Sequence, residues 1–122
     1  MSSSTRNIIA WVLQGLVGLA FIGFGIKKLT DLPGTVGMFS SIGLPGAMAY
    51  VISVAELLGG IGLLIPRFTR LAAMGLVIIM IGAVVVHATV IPGGIANGAP
   101  ALVLLALLLV ILWLRRPVAA TA

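Results

Sequence analysis

The sequence predicts an all-α membrane protein: a bundle of four transmembrane helices with a short interfacial helix or lid between the first and the second. Composition, length and the distribution of charge predict it. Of 122 residues, 61% are hydrophobic and 7% charged, whereas soluble domains run near 25% charged. The few charges fall between long uncharged runs, and a helix needs about 20 apolar residues to cross a hydrocarbon core of about 30 Å. Four such spans use roughly 80 residues. The remainder cannot hold a soluble catalytic or nucleotide-binding domain, which typically takes about 50 to 200. The chain therefore reads as one membrane domain over residues 1–122.

Span one runs over about Ile8–Ile26. Arg6 is the single charge before it, and no small-residue cleavage site precedes Lys27 and Lys28, so it reads as a retained helix rather than a signal peptide. The next segment, Leu29–Ala47, is apolar for a connection, with Val36, Met38, Phe39, Ile42 and Leu44. Asp31 can cap a short helix there with Pro33 in its first turn, and Gly43 before Pro45 is a stop signal. The segment is expected at the interface, either as a linker resting on headgroups or as a lid over a cavity.

Span two is expected at about Met48–Ile65, span three at about Leu71–Val90 and span four at about Ala99–Leu114, which ends on Arg115, Arg116 and Pro117. Pro92-Gly93-Gly94 and Asn97-Gly98 mark turns between the last two. No low-complexity segment or internal repeat stands out.

With four spans, both termini share a side with Arg6, Arg67, Arg70, Arg115 and Arg116, against Lys27 and Lys28 on the other. Under the positive-inside rule this places both termini in the cytoplasm. The net charge of +5 then reports helix ends rather than a nucleic-acid groove.

The absence of cysteine excludes thiol–disulfide exchange, iron–sulfur ligation and thiolate zinc sites. No metal site is expected. Two ionisable residues lie inside spans, Glu56 and His87, and a charged group at a helix centre costs about 3 kcal/mol on insertion scales. At 1.5 Å per residue Glu56 lies about 12 Å, and His87 about 5 Å, below the same end of the bundle. Lys28 or Lys27 can bend inward from that end. The cluster is either an ion pair that locks helix order or a site that handles protons and contacts a polar ligand, with Glu56, His87 and Lys28 as candidate catalytic residues.

Glycines recur in the spans. Ala55, Gly59 and Gly62 share one helix face, and Gly75 and Gly82 repeat that spacing, which reads as close helix packing. Trp11, Tyr50 and Trp113 read as interface anchors, and the methionines as core filling.

Gly25-Ile26-Lys27-Lys28-Leu29, Gly43-Leu44-Pro45, Ala55-Glu56-Leu57-Leu58-Gly59-Gly60, Arg67-Phe68-Thr69-Arg70-Leu71 and Met80…Gly82-Ala83…His87 occur in that order. The set resembles the DoxX family over nearly the whole chain. Lys28, Glu56 and His87 match that family's lysine, glutamate and histidine. The resemblance implies a four-helix protein of the bacterial cytoplasmic membrane. Relatives include a quinone-linked thiosulfate oxidoreductase subunit, components of membrane redox complexes and proteins that assist maturation of others.

The expected function is a small subunit or accessory of a membrane redox system, with quinone as the candidate cofactor and Glu56 and His87 at its headgroup. The expected partners are membrane lipid and a protein of the same complex or a second copy of the chain. The sequence does not decide whether the chain is itself an enzyme, since it encodes no redox centre. One alternative is a non-enzymatic scaffold or assembly factor. The other is a small proton-coupled transporter, disfavoured because small multidrug transporters carry their glutamate in the first span.

Overall fold

The computed structural model describes residues 1–90 and 98–117. The turn dipeptides expected at Pro92–Gly94 lie outside the described residues, as does Asn97. Helices cover all four apolar runs and the first connection: α1 (Ser3–Thr30), α2 (Leu32–Ser41), α3 (Gly46–Leu64), α4 (Thr69–Thr89) and α5 (Ala99–Leu114), with one 3₁₀ turn at Pro66–Phe68.

The helix boundaries follow local chemistry. Ser2 Oγ accepts from Thr5 N at 3.1 Å and caps α1. Lys27 and Lys28 occupy its last turn, where cations meet the negative end of the helix dipole. Asp31 leaves the helical region at φ −131°, ψ 59°, and its Oδ1 accepts from Gly34 N at 3.3 Å to start α2. The first connection is thus a ten-residue helix.

α2 ends because Gly43 takes φ +84°, a left-handed conformation that costs a residue without Cβ little. That turn lets Gly43 N reach Ser40 O at 3.1 Å and Leu44 N reach Phe39 O at 2.9 Å, so the last carbonyls of α2 are satisfied. Ile65 is extended (ψ 113°) before Pro66, as a residue preceding proline prefers, and α3 stops there. Pro100 sits in the first turn of α5, where its missing N–H is harmless.

The tightest packing joins α1 to α3. A Cβ on Gly60 would lie 2.6 Å from Gly18 O and 2.8 Å from Ile22 N, and one on Gly25 would lie 2.8 Å from Leu57 N. The two backbones therefore touch. On another face of α3, a Cβ on Gly59 would collide with the Leu76 side chain and one on Gly62 with Ala72, both on α4. α5 closes the bundle against α4 and α1, and α2 lies on α3. Val17, Phe21, Leu63, Leu76, Leu108 and Ile111 form the core.

The expected packing role fails for one pair of glycines. Cβ atoms on Gly75 and Gly82 would meet nothing within 4 Å, and the same is true of Gly15 and Gly23. None of the four is pressed against a neighbouring helix, and Gly82 borders a cavity between α2, α3 and α4. Large apolar side chains are exposed beside them, including Leu16 (64%) and Ile78 (71%), which marks faces turned to hydrocarbon rather than water. α1, α3 and the Pro66–Thr89 segment are long and apolar enough to cross a membrane, and α5 is a shorter apolar helix. The methionine expectation also needs correction. Met80 is buried, whereas Met38, Met48 and Met74 are exposed.

Candidate functional site

Three helices bring the predicted residues to one end of the bundle. Lys28 lies in the last turns of α1, Glu56 in the middle of α3 and His87 near the end of α4. Lys28 Nζ donates to Glu56 Oε1, and the pair has a wet side and a dry side, since the lysine side chain is 30% exposed and the glutamate 2%. Burial of the carboxylate is offset by this ammonium, a charge-assisted bond stronger than a neutral one. The other carboxylate oxygen, Oε2, makes no hydrogen bond among the described residues. Lys27, the other candidate partner, is exposed and does not reach the carboxylate.

His87 joins the pair in space and not by direct bonding. Its Nδ1 lies 2.8 Å from Ala83 O, one helical turn back. A carbonyl only accepts, so Nδ1 carries the hydrogen, and Nε2 of the neutral ring is an acceptor. Gly98, just before α5, comes so close that a Cβ there would lie 2.9 Å from His87 Cβ, so the base of the histidine side chain packs against the start of α5.

All three side chains line a single cavity of about 380 Å³. Its other walls are apolar and come from α2 through α4, with Met38, Phe39 and Ile42 on one side and Ile52, Met80 and Val86 on others. The connection treated as a linker or a lid therefore forms a wall of the cavity. Thr35 Oγ1 donates to Asp31 O at 2.9 Å and Lys28 O at 3.2 Å, so α2 is tied to the turn that carries the lysine. Three of the methionines read as core filling, Met38, Met48 and Met80, line this space, where flexible thioether side chains adapt to a bound molecule.

A second, more polar groove of about 390 Å³ lies between α1 and α2 and includes Lys27, Asp31 and Thr35. Lys28 and Met38 border both spaces. Among the described residues no group of three His, Asp or Glu side chains stands close enough to hold a metal ion.

At the opposite end stands a second polar cluster, which a search of the spans for ionisable residues does not single out because its buried member is an amide. Gln14 on α1 is fully buried. Its Nε2 donates to Leu63 O at 2.8 Å and Thr69 Oγ1 at 3.1 Å, and its Oε1 accepts from Arg115 Nε at 2.6 Å. Arg115 Nη1 also donates to Asn7 Oδ1 at 2.9 Å, and the guanidinium stacks on Trp11, 5.5 Å from the ring centroid. The available signal was an amide in the middle of an otherwise apolar run.

The fold and its two polar ends define an all-α membrane bundle with an apolar, helix-lined cavity that carries the charged pair Lys28–Glu56. The model of the DoxX family matches residues 11–89, a stretch that contains Lys28, Glu56 and His87. The chain belongs to the DoxX family. It is 36% identical over 74 residues to "Putative oxidoreductase CatD" of Bacillus subtilis (strain 168), a match covering 61% of this chain and 55% of that protein. The chain thus spans about half the length of the curated relative it matches. No solved structure matches it.

Proposed function

We propose that the cavity binds the headgroup of a lipophilic redox carrier of the quinone type, and that the chain serves as a small subunit or accessory of a membrane redox system. The carrying observation is the coexistence, in one apolar space, of a donor and two acceptors. Lys28 has N–H groups beyond the one it gives to Glu56, and these suit a carbonyl. Glu56 Oε2 and His87 Nε2 suit hydroxyls. An oxidised and a reduced ring thus find partners without rearrangement of the walls. The volume falls in the range of small-molecule sites, about 300 to 1,000 Å³.

A quinone-type carrier supplies the two-electron, two-proton chemistry when bound. The chain's own residues orient the ring and move protons. Glu56 and His87 are within the cavity to hand protons to the ring as it is reduced, and Lys28 borders the polar groove through which water resupplies them. Electrons come from a partner protein, since the chain carries no redox centre. The relative's name, an oxidoreductase, agrees with this reading. Five arginines at the far end favour the bacterial cytoplasmic membrane with both termini inside.

Purification followed by lipid extraction tests the proposal. The expected result is a co-purified quinone, and weaker binding of added quinone by Glu56→Gln in a protein that still folds. Absence of co-purified quinone together with unchanged binding by that variant would sink it.

One observation favours a second reading, a scaffold for another membrane protein: Gly75 leaves an open spot on the exposed face of α4, which lets a foreign helix approach closely. A stoichiometric partner crosslinked to α4, with no bound small molecule, is its signature.

A further inference from the structure

The arginine end carries more than an orientation signal. Arg70, at the start of α4, points its Nη1 at two carbonyls of the α5 terminus, Leu112 O and Arg115 O, each at 3.3 Å. Arg115 is the residue whose carbonyl Arg70 meets and whose own side chain is held by Gln14 and Asn7. Two guanidiniums are thus gathered at one corner where α1, α4 and α5 meet. Every partner among the described residues is a neutral oxygen.

No carboxylate side chain is available to balance them. The chain has two acidic residues; Glu56 is engaged by Lys28, and Asp31 caps α2 beside that same lysine end. Neutral acceptors fix the direction of a guanidinium without cancelling its charge, so the corner holds two oriented positive charges in a medium where screening by water is reduced. Each keeps N–H groups beyond those engaged, and a guanidinium edge matches two oxygens of a phosphate. Trp11 lies under Arg115 and Trp113 under Arg116, 5.5 and 4.5 Å from the guanidinium carbon. Indole rings of this kind sit at headgroup depth.

We propose that Arg70 and Arg115 form a binding site for one anionic phospholipid, its phosphate held between the two guanidiniums and its chains lying against the apolar faces of the bundle. Basic pockets between transmembrane helices bind such headgroups. Arg67 and Arg116 serve as a built-in control. They stack on neighbouring aromatic rings, are exposed, and make no bond that joins two helices.

Native mass spectrometry of the full chain, released from detergent with equal amounts of phosphatidylglycerol and phosphatidylcholine, tests the site. The expected result is retention of one phosphatidylglycerol in preference to phosphatidylcholine. Arg70→Lys/Arg115→Lys keeps the charge and removes the forks, so retention falls about tenfold, the loss expected for one charge-assisted bidentate contact. Arg67→Lys/Arg116→Lys leaves it unchanged. Should the first pair fail to fold, Arg70→Gln alone, which leaves the Arg115–Gln14 link intact, carries the same expectation. Equal retention of the two lipids, an equal fall in both lysine pairs, or no fall in Arg70→Gln would overturn the proposal.

Discussion

The two ends of this bundle bury polar groups in opposite ways. At the arginine end, Gln14, Thr69 and Arg115 interlock: the amide both donates and accepts, and Thr69 Oγ1 also donates to Leu63 O and Ile65 O at 3.2 and 3.1 Å. The network joins α1, the end of α3, the start of α4 and the end of α5. At the lysine end, a single ion pair joins α1 to α3 and stands at the edge of a cavity of about 380 Å³. A filled polar network holds helices in register, whereas a polar pair beside an empty apolar space leaves valences for a visitor.

Substitutions at the two ends should therefore separate stability from binding. The largest effect on folding is expected from Gln14→Leu. It strips Arg115 of a buried acceptor and Leu63 O of a donor, and should cost about 3 kcal/mol in thermal or denaturant unfolding of the detergent-solubilised protein. Ligand affinity per folded molecule should not change. If instead the variant unfolds like the parent, the locked end is not a lock.

Glu56→Gln should cost less, about 1 kcal/mol. The amide keeps the shape of the carboxylate, and Lys28, already partly exposed, can turn to water instead of being stranded. Binding of a quinone-type ligand should fall about tenfold or more, measured by tryptophan fluorescence or ligand co-purification. A stability loss matching that of Gln14→Leu would show that the pair is structural in the same sense as the far network.

Gly82→Leu sharpens the contrast further. Gly82 lines the cavity, and a Cβ there meets no neighbour. A leucine should fill the space and block ligand while raising stability slightly, by up to about 0.7 kcal/mol from helix propensity. Loss of folding would mean that the space is smaller than its walls indicate. The smallest change in binding is expected for Gly75→Ala, on the same helix but away from the cavity lining. It should stabilise by up to about 1 kcal/mol, the helix-propensity difference between glycine and alanine, with no effect on binding, unless another protein packs on that face, in which case co-purification of that partner is reduced.

The helices and the lysine end were largely legible in the sequence, because both depend on local rules. Uncharged runs set the spans, Asp31, Pro33 and Gly43 set the limits of α2, and helix rise placed Lys28, Glu56 and His87 at one end. Span four coincides with α5, whereas span one ran short at both ends, Ile8–Ile26 against Ser3–Thr30, because a helix continues past its apolar part while its backbone bonds are satisfied.

What local rules missed depended on distant partners. Gln14 is significant only because Leu63 and Arg115 meet it from 49 and 101 residues away. Gly59 and Gly75 look alike along the chain, yet one abuts Leu76 and the other faces open space. The direction of a small residue relative to its neighbours is set by bundle order, which periodicity alone does not specify.

α5 has 16 residues, a length of about 24 Å at 1.5 Å per residue, against a hydrocarbon core of about 30 Å. Its end is tied by Arg70 and Arg115 to polar groups that cannot sink into hydrocarbon. α5 by itself falls about 6 Å short of that core, and mismatch of this size carries a modest cost that sorts proteins by membrane thickness. The protein should accordingly concentrate in thinner patches of membrane.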